Sequence, residues 1–163
     1  MELSKNEIEL PMKAFCLMGN NGSDKIQMTI CEVFDFPERT SYAGGYDFRG
    51  TLTISVGCYR VCSEDFYSST GELYSLGVSL EKCYVSLEGI AEFPTICERN
   101  LEFELRMTRN GHGTVKGQYT EYTHLVNSLI FEMVIDQTCI RCAIDDLKQV
   151  EKIFGDNKGK RTE

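Results

Sequence analysis

The chain has 163 residues, 42% of them hydrophobic and 26% charged, the profile of one globular domain able to bury roughly 70% of its unfolded surface. Seventeen basic against 25 acidic residues leave a net charge of −8, which argues against direct nucleic-acid binding, a task that needs a basic footprint to displace counterions. No apolar run approaches the ~20 residues of a membrane span, and Met1-Glu-Leu-Ser-Lys has no cationic start leading into an apolar run. The expectation is a cytoplasmic protein without signal peptide or membrane partner, carried elsewhere only by a partner.

Taken in order, residues 7–18 alternate loosely through Ile8, Leu10, Met12, Ala14 and Cys16, with Pro11 marking an edge strand. After the turn at Asn20-Asn-Gly-Ser, Ile26, Met28 and Ile30 share one face of a second strand. The glycine-rich stretch Ser41-Tyr-Ala-Gly-Gly-Tyr-Asp-Phe-Arg-Gly50 reads as a turn, since it lacks the order of a phosphate-cradling loop and no helix follows it. Leu52, Ile54, Val56 and Cys58 define a third strand, extended to about Phe66. Ser68-Ser-Thr-Gly-Glu72 opens a helix with the stripe Leu73, Leu76, Leu80, Cys83, Tyr84 and Leu87, stopped at Gly89.

A short strand over 90–96, interrupted at Pro94, comes next. Leu101, Phe103, Leu105 and Met107 then alternate with Glu102, Glu104 and Arg106 in a half-buried strand. Arg109-Asn-Gly-His-Gly113 is a hairpin turn, and residues 114–122 return as its partner. Leu129, Phe131, Met133 and Ile135 keep period two until Asp136, after which Ile140, Ala143, Ile144, Leu147, Val150 and Phe154 recur at helical spacing. Asp136 or Thr138 caps this last helix and Gly155 ends it. The sum is an α+β fold: a single domain over 1–155, a mainly antiparallel sheet of about seven strands with two helices, in the order β-β-β-α-β-β-β-β-α. Residues 156–163 form a polar, flexible tail, and no internal repeat is visible.

Eight cysteines invite a search for metal or redox chemistry. Cys16, Cys58 and Cys83 fall where a strand or helix wants an apolar side chain, and reduced thiols serve there as small hydrophobes. Cys139-Ile-Arg-Cys142 is the one motif with reactive character, because a helix N-terminus and Arg141 both favour a thiolate. Its place after the last strand of a meander differs from a thioredoxin-like context. A zinc site lacks two further ligands at close spacing, so neither metal nor cofactor is expected. His112 and His124, the two histidines, read as loop residues.

Carboxylates say more as a surface. Between residues 86 and 104 five glutamates stand against Arg99 alone, a local charge of −4. Glu102 and Glu104 leave one face of their strand, and Glu121 and Glu132 can extend the same acidic surface. A solvated sheet face and a docking surface for a basic protein are both compatible with that pattern.

Several stretches, taken together, resemble one family. They are Tyr42-Ala-Gly-Gly-Tyr-Asp47, the strand Leu52-Thr-Ile-Ser-Val56, Glu72-Leu73 opening a helix, Cys97-Glu-Arg-Asn-Leu-Glu-Phe103, Leu129-Ile-Phe-Glu and Asp136-Gln-Thr-Cys-Ile140. In this order, over residues 42–154, the chain looks like the WapI-type immunity proteins of bacterial contact-dependent toxin systems. It departs from their pattern in having no Trp, in Ala43 where Pro is usual, and in Cys139 where an aromatic residue is common. The resemblance implies a non-enzymatic protein that binds and occludes a cognate toxin domain, a basic nuclease being one such partner. Glu102, Glu104, Glu121 and Glu132 are the first candidates for contact, with Asp47 and Tyr46 as loop candidates. Two other functions stay open: a thiol-dependent redox protein using Cys139 and Cys142, and a β-rich binding module with no toxin. Oligomeric state is not legible.

Overall fold

Among the described residues, four strands and a helix are followed by four more strands and a second helix. The computed structural model describes residues 8–93, 100–122 and 124–160. The first unit runs β1 (Met12–Met18), β2 (Lys25–Val33), β3 (Asp47–Val56), β4 (Tyr59–Ser69) and α1 (Thr70–Ser86). The second runs β5 (Gly89–Glu92), β6 (Leu101–Met107), β7 (His112–Thr120), β8 (Ser128–Asp136) and α2 (Gln137–Phe154). Each set of strands is an antiparallel meander, giving sheet A in the order β1-β2-β3-β4 and sheet B in the order β5-β6-β7-β8.

The α+β class and the two helices agree with the sequence reading, whereas the strand and sheet counts differ. Leu52 to Phe66 is not one strand. Val56 pairs with Tyr59 across a two-residue turn, and Gly57 takes φ +58°, a conformation that suits a residue without Cβ. The glycine-rich loop is also shorter than expected, because β3 already begins at Asp47. Gly50 lies inside that strand, where an added Cβ would stand 1.9 Å from the Thr29 carbonyl oxygen. That glycine therefore serves close strand approach rather than a turn. The supposed strand over 90–96 ends at Glu92, and residues 94–99, which include Cys97, Glu98 and Arg99, lie outside the described ones.

The repeat escaped the sequence reading because it conserves role rather than residue type. Ser69 caps α1 and Asp136 caps α2, and each pairs with the first residue of the next-to-last strand of its unit, Asp47 and His112 respectively. At matching positions after the caps, Leu73, Leu76, Leu80 and Cys83 answer to Ile140, Ala143, Leu147 and Val150, and all eight are buried. The units lock together by exchange: α1 lies against β5, α2 lies against β1, and the two helices touch. One continuous apolar cluster drawn from both sheets and both helices results, with Phe15 of β1 meeting Phe103 of β6 at 6.4 Å between ring centres.

The C-terminal segment is tied down as far as it is described. Gly45 N–H donates to the Asn157 carbonyl (2.8 Å) and Lys160 N–H to the Tyr46 hydroxyl (3.0 Å). Residues 156–160 form a turn held against Gly45 and Tyr46 by these bonds. Residues 161–163 lie outside the described ones.

Candidate partner-binding surface

The strand pairing of sheet B fixes what its solvent face displays. Glu92, Glu104, Lys116 and Glu132 form one cross-strand row; Glu102, Gln118 and Ile130 form the next; Ile90, Arg106, Thr114 and Val134 lie on the other side of the first row. Because side chains alternate along a strand, Leu101, Phe103 and Leu105 enter the core while the residues between them point outward. Neighbouring strands sit about 4.8 Å apart, so the four carboxylates and two cations share one compact field. Glu104 is committed in part: Arg106 Nη2 lies 3.0 Å from its Oε1. Such an exposed pair contributes little to stability and is screened by salt. Glu102 and Glu132 remain exposed. Beside them Ile130 is 79% exposed and Val134 50%, apolar area that the core does not use. A shallow concavity of about 590 Å³ spans this region, floored by Gly117 and rimmed by Glu92, Glu102, Glu104, Lys116 and Ile130.

Glu121 stands apart from that field. Just past β7, it lines a cleft of about 750 Å³ bounded by residues 60–66 of β4 on one side and by Tyr119, Tyr122 and residues 127–129 on the other. The pairing of β4 with β3 slips here. Gly50 pairs with Phe66 and Leu52 with Ser63, so Thr51 alone faces both Glu64 and Asp65. Such a bulge breaks alternation, and both carboxylates emerge exposed. Asp65 shares Arg49 with Glu32, at 3.6 and 3.5 Å. Sequence reasoning missed Glu64 and Asp65 because it ran β3 and β4 together. Gly57, inside an otherwise alternating stretch, was the available sign of a turn.

The remaining candidates fall elsewhere. Asp47 is exposed at the start of β3, on the other sheet, with its carbonyl accepting from Phe34 N–H. Tyr46 is 1% exposed and packs edge-on against Phe36 at 4.9 Å between ring centres, with its hydroxyl donating to the Pro37 carbonyl. It is a core residue and offers no contact surface to a partner; alternation with the exposed Asp47 accounts for its inward direction.

Cys139 and Cys142 sit in the first turns of α2, one half-buried and one exposed. Burial pushes the Cys139 thiol above its ordinary value, and the Asp136 carboxylate, 3.4 Å from Sγ, adds to the rise. Arg141, expected to favour a thiolate, instead pairs with Asp145 (3.3 Å) and stacks over Tyr84. The charge nearest Cys139 is thus negative, which opposes activation of a nucleophilic thiol. Asp136 Oδ1 serves as the helix cap, accepting from Thr138 N–H (2.9 Å) and Cys139 N–H (3.2 Å) as well as from the Thr138 hydroxyl. Of the three cysteines expected at apolar positions, Cys83 is in the core, Cys16 is half-buried, and Cys58 is exposed in the β3–β4 turn. Among the described residues no cluster of His, Cys, Asp and Glu has the makings of a metal site, and no helix is long and apolar enough to cross a membrane.

The solvent face of sheet B thus combines carboxylates with exposed apolar side chains on a two-sheet α+β scaffold. The chain belongs to the immunity protein WapI-like family, whose model matches residues 16–155. That span begins well before residue 42, where the resembling motifs start, and takes in most of both units. No curated protein and no solved structure matches the chain. Membership makes this an immunity protein in the general sense, and a toxin protein the class of partner it implies.

Proposed function

We propose that the protein neutralises a cognate toxin domain by binding it, without catalysis, through the solvent face of sheet B. The observation that carries this reading is the cross-strand array of Glu92, Glu102, Glu104 and Glu132 beside the exposed Ile130 and Val134. Complementary charge accelerates encounter and excludes wrong partners, while desolvated apolar anchors supply most of the affinity. The carboxylates favour a basic partner, and a toxin that grips RNA or DNA is basic because it must neutralise phosphates. Docking of this face over the toxin's substrate groove would occlude the groove while leaving the toxin folded. A protein at −8 net charge would also be steered toward such a target.

The test pairs this chain with the toxic domain encoded directly beside its gene. Co-expression should rescue growth, and the double variant Glu102→Lys/Glu132→Lys should lose rescue and bind at least about tenfold more weakly, a cost near 1.4 kcal/mol. Binding by the parent should weaken as salt rises. Glu151→Lys, an exposed substitution on α2, is the control and should rescue normally. Undiminished rescue by the double variant would move the interface off this face.

A further inference from the structure

We propose that the outer edge of β4, with the cleft beside it, seats an extended basic segment of the toxin, added to sheet A as a fifth strand. This inference rests on the immunity reading above and adds a second, backbone-mediated contact to it.

The argument begins with how the sheet edges are closed. An open edge presents unpaired N–H and C=O groups and acts as a template for another strand, so proteins cover or blunt it. β1 is covered by α2, whose Asp146 accepts from Cys16 N–H at 3.2 Å and pairs with Lys13 at 3.5 Å. The four-residue β5 lies against α1. The edge of β8 is met at Val134, whose carbonyl accepts from Asn20 N–H at 2.8 Å. β4, an 11-residue strand, has no strand beyond it among the described residues. What lies beside it is the cleft of about 750 Å³.

Charge selects the occupant. Glu64, Asp65 and Glu121 stand against Arg60 alone among the charged groups lining the cleft, and Tyr119 and Tyr122 add aromatic surface. The bulge at Glu64–Asp65 divides the edge. Pairing is therefore assigned to residues 59–63, on the hairpin side, with basic side chains of the incoming segment reaching the two bulge carboxylates. Backbone pairing supplies affinity in this mode and the flanking side-chain sites supply selectivity. A second copy of this chain is the poorer occupant, since it carries the same net charge of −8 and would bring a second acidic cleft up to this one. Ser128, whose hydroxyl lies 2.9 Å from that of its cross-strand partner Thr120, lines the cleft and also ends the β7–β8 ladder of sheet B, so one partner can reach both.

Cys62 provides a native probe, being exposed on β4 and part of the cleft lining. Alkylation of the free protein and of its complex with the adjacent-gene toxin domain is followed by peptide mass spectrometry, alongside hydrogen exchange of the β4 amides. The expected result is that complex formation slows Cys62 labelling at least tenfold, slows exchange within residues 59–63, and leaves Cys142 on α2 unchanged. Glu64→Lys/Glu121→Lys should weaken the complex at least tenfold and keep the parent's Tm. A complex that forms with Cys62 and the β4 amides unaffected overturns the inference and leaves the immunity reading standing. Cys62 protection without slowed β4 exchange also overturns strand addition. Protection that rises with protein concentration in the absence of toxin assigns the edge to a second copy instead. Absence of both complex and rescue removes the immunity reading and the inference together.

Discussion

The two units of this molecule share a plan and differ where they face solvent. In each, a four-strand meander delivers its last strand into a capped helix, and the helix crosses to pack on the other unit. In the first unit Ser69 Oγ accepts from Glu72 N–H at 3.2 Å, and both residues are buried. In the second the half-buried Asp136 does the same work for two amides. The last strands diverge further. β4 carries a bulge and has no strand beyond it among the described residues, whereas β8 runs without a slip in register, turns Ile130 and Val134 outward, and is touched at its edge by Asn20. What the units keep in common serves folding, and what separates them supplies two chemically different surfaces.

Equivalence of the cores is tested with the largest effect. Leu80→Ala and Leu147→Ala remove buried side chains from matching positions of the two helices, and each should cost about 2–5 kcal/mol. Chemical denaturation of the two variants should give similar losses; a cost under ~1 kcal/mol for one alone would mean that the units are not mechanically equivalent. Divergence of the surfaces comes next. Ile130→Ser should weaken toxin binding about tenfold, or ~1.4 kcal/mol, with folding stability unchanged, while Tyr67→Ser on the corresponding face of β4 should leave affinity within about twofold. Equal effects would erase the distinction between the two faces.

The caps discriminate more finely. Ser69→Ala and Asp136→Ala should each cost about 1 kcal/mol near neutral pH. Hydrogen bonds, that from the Thr138 hydroxyl foremost, hold the Asp136 carboxyl below its ordinary value of 3.8. A depressed folded value means that its contribution is complete above the unfolded value and fades as pH falls through the folded one. The gap between the parent and Asp136→Ala should thus narrow below about pH 4, while the gap for Ser69→Ala, which loses no titrating group, should not. Thermal melts across that range decide it. Smallest of all, Cys139 should alkylate more slowly than Cys142 in the same helix, because burial and Asp136 both disfavour its thiolate.

Much of the fold was legible because its signals are local. The period-two runs at 101–107 and 129–135, the stripe from Ile140 to Phe154 and the caps at Ser69 and Asp136 each need only neighbouring residues to be read. So did the family resemblance, which rests on short motifs in order. The outward direction of Glu102 and Glu132 followed from alternation alone. That they belong to one array with Glu92 and Lys116 did not, since register is a property of strand pairing.

The sequence by itself determined which segments alternate, which coil and which residues begin each helix, because steric periodicity and end-group hydrogen bonds act over a few residues. Only the tertiary structure decided that there are two sheets, that the helices exchange between units, that Tyr46 is core, and that a bulge in β4 turns Glu64 and Asp65 outward. Those outcomes depend on contacts between residues far apart in the chain, where burial and strand register, rather than local preference, choose the arrangement.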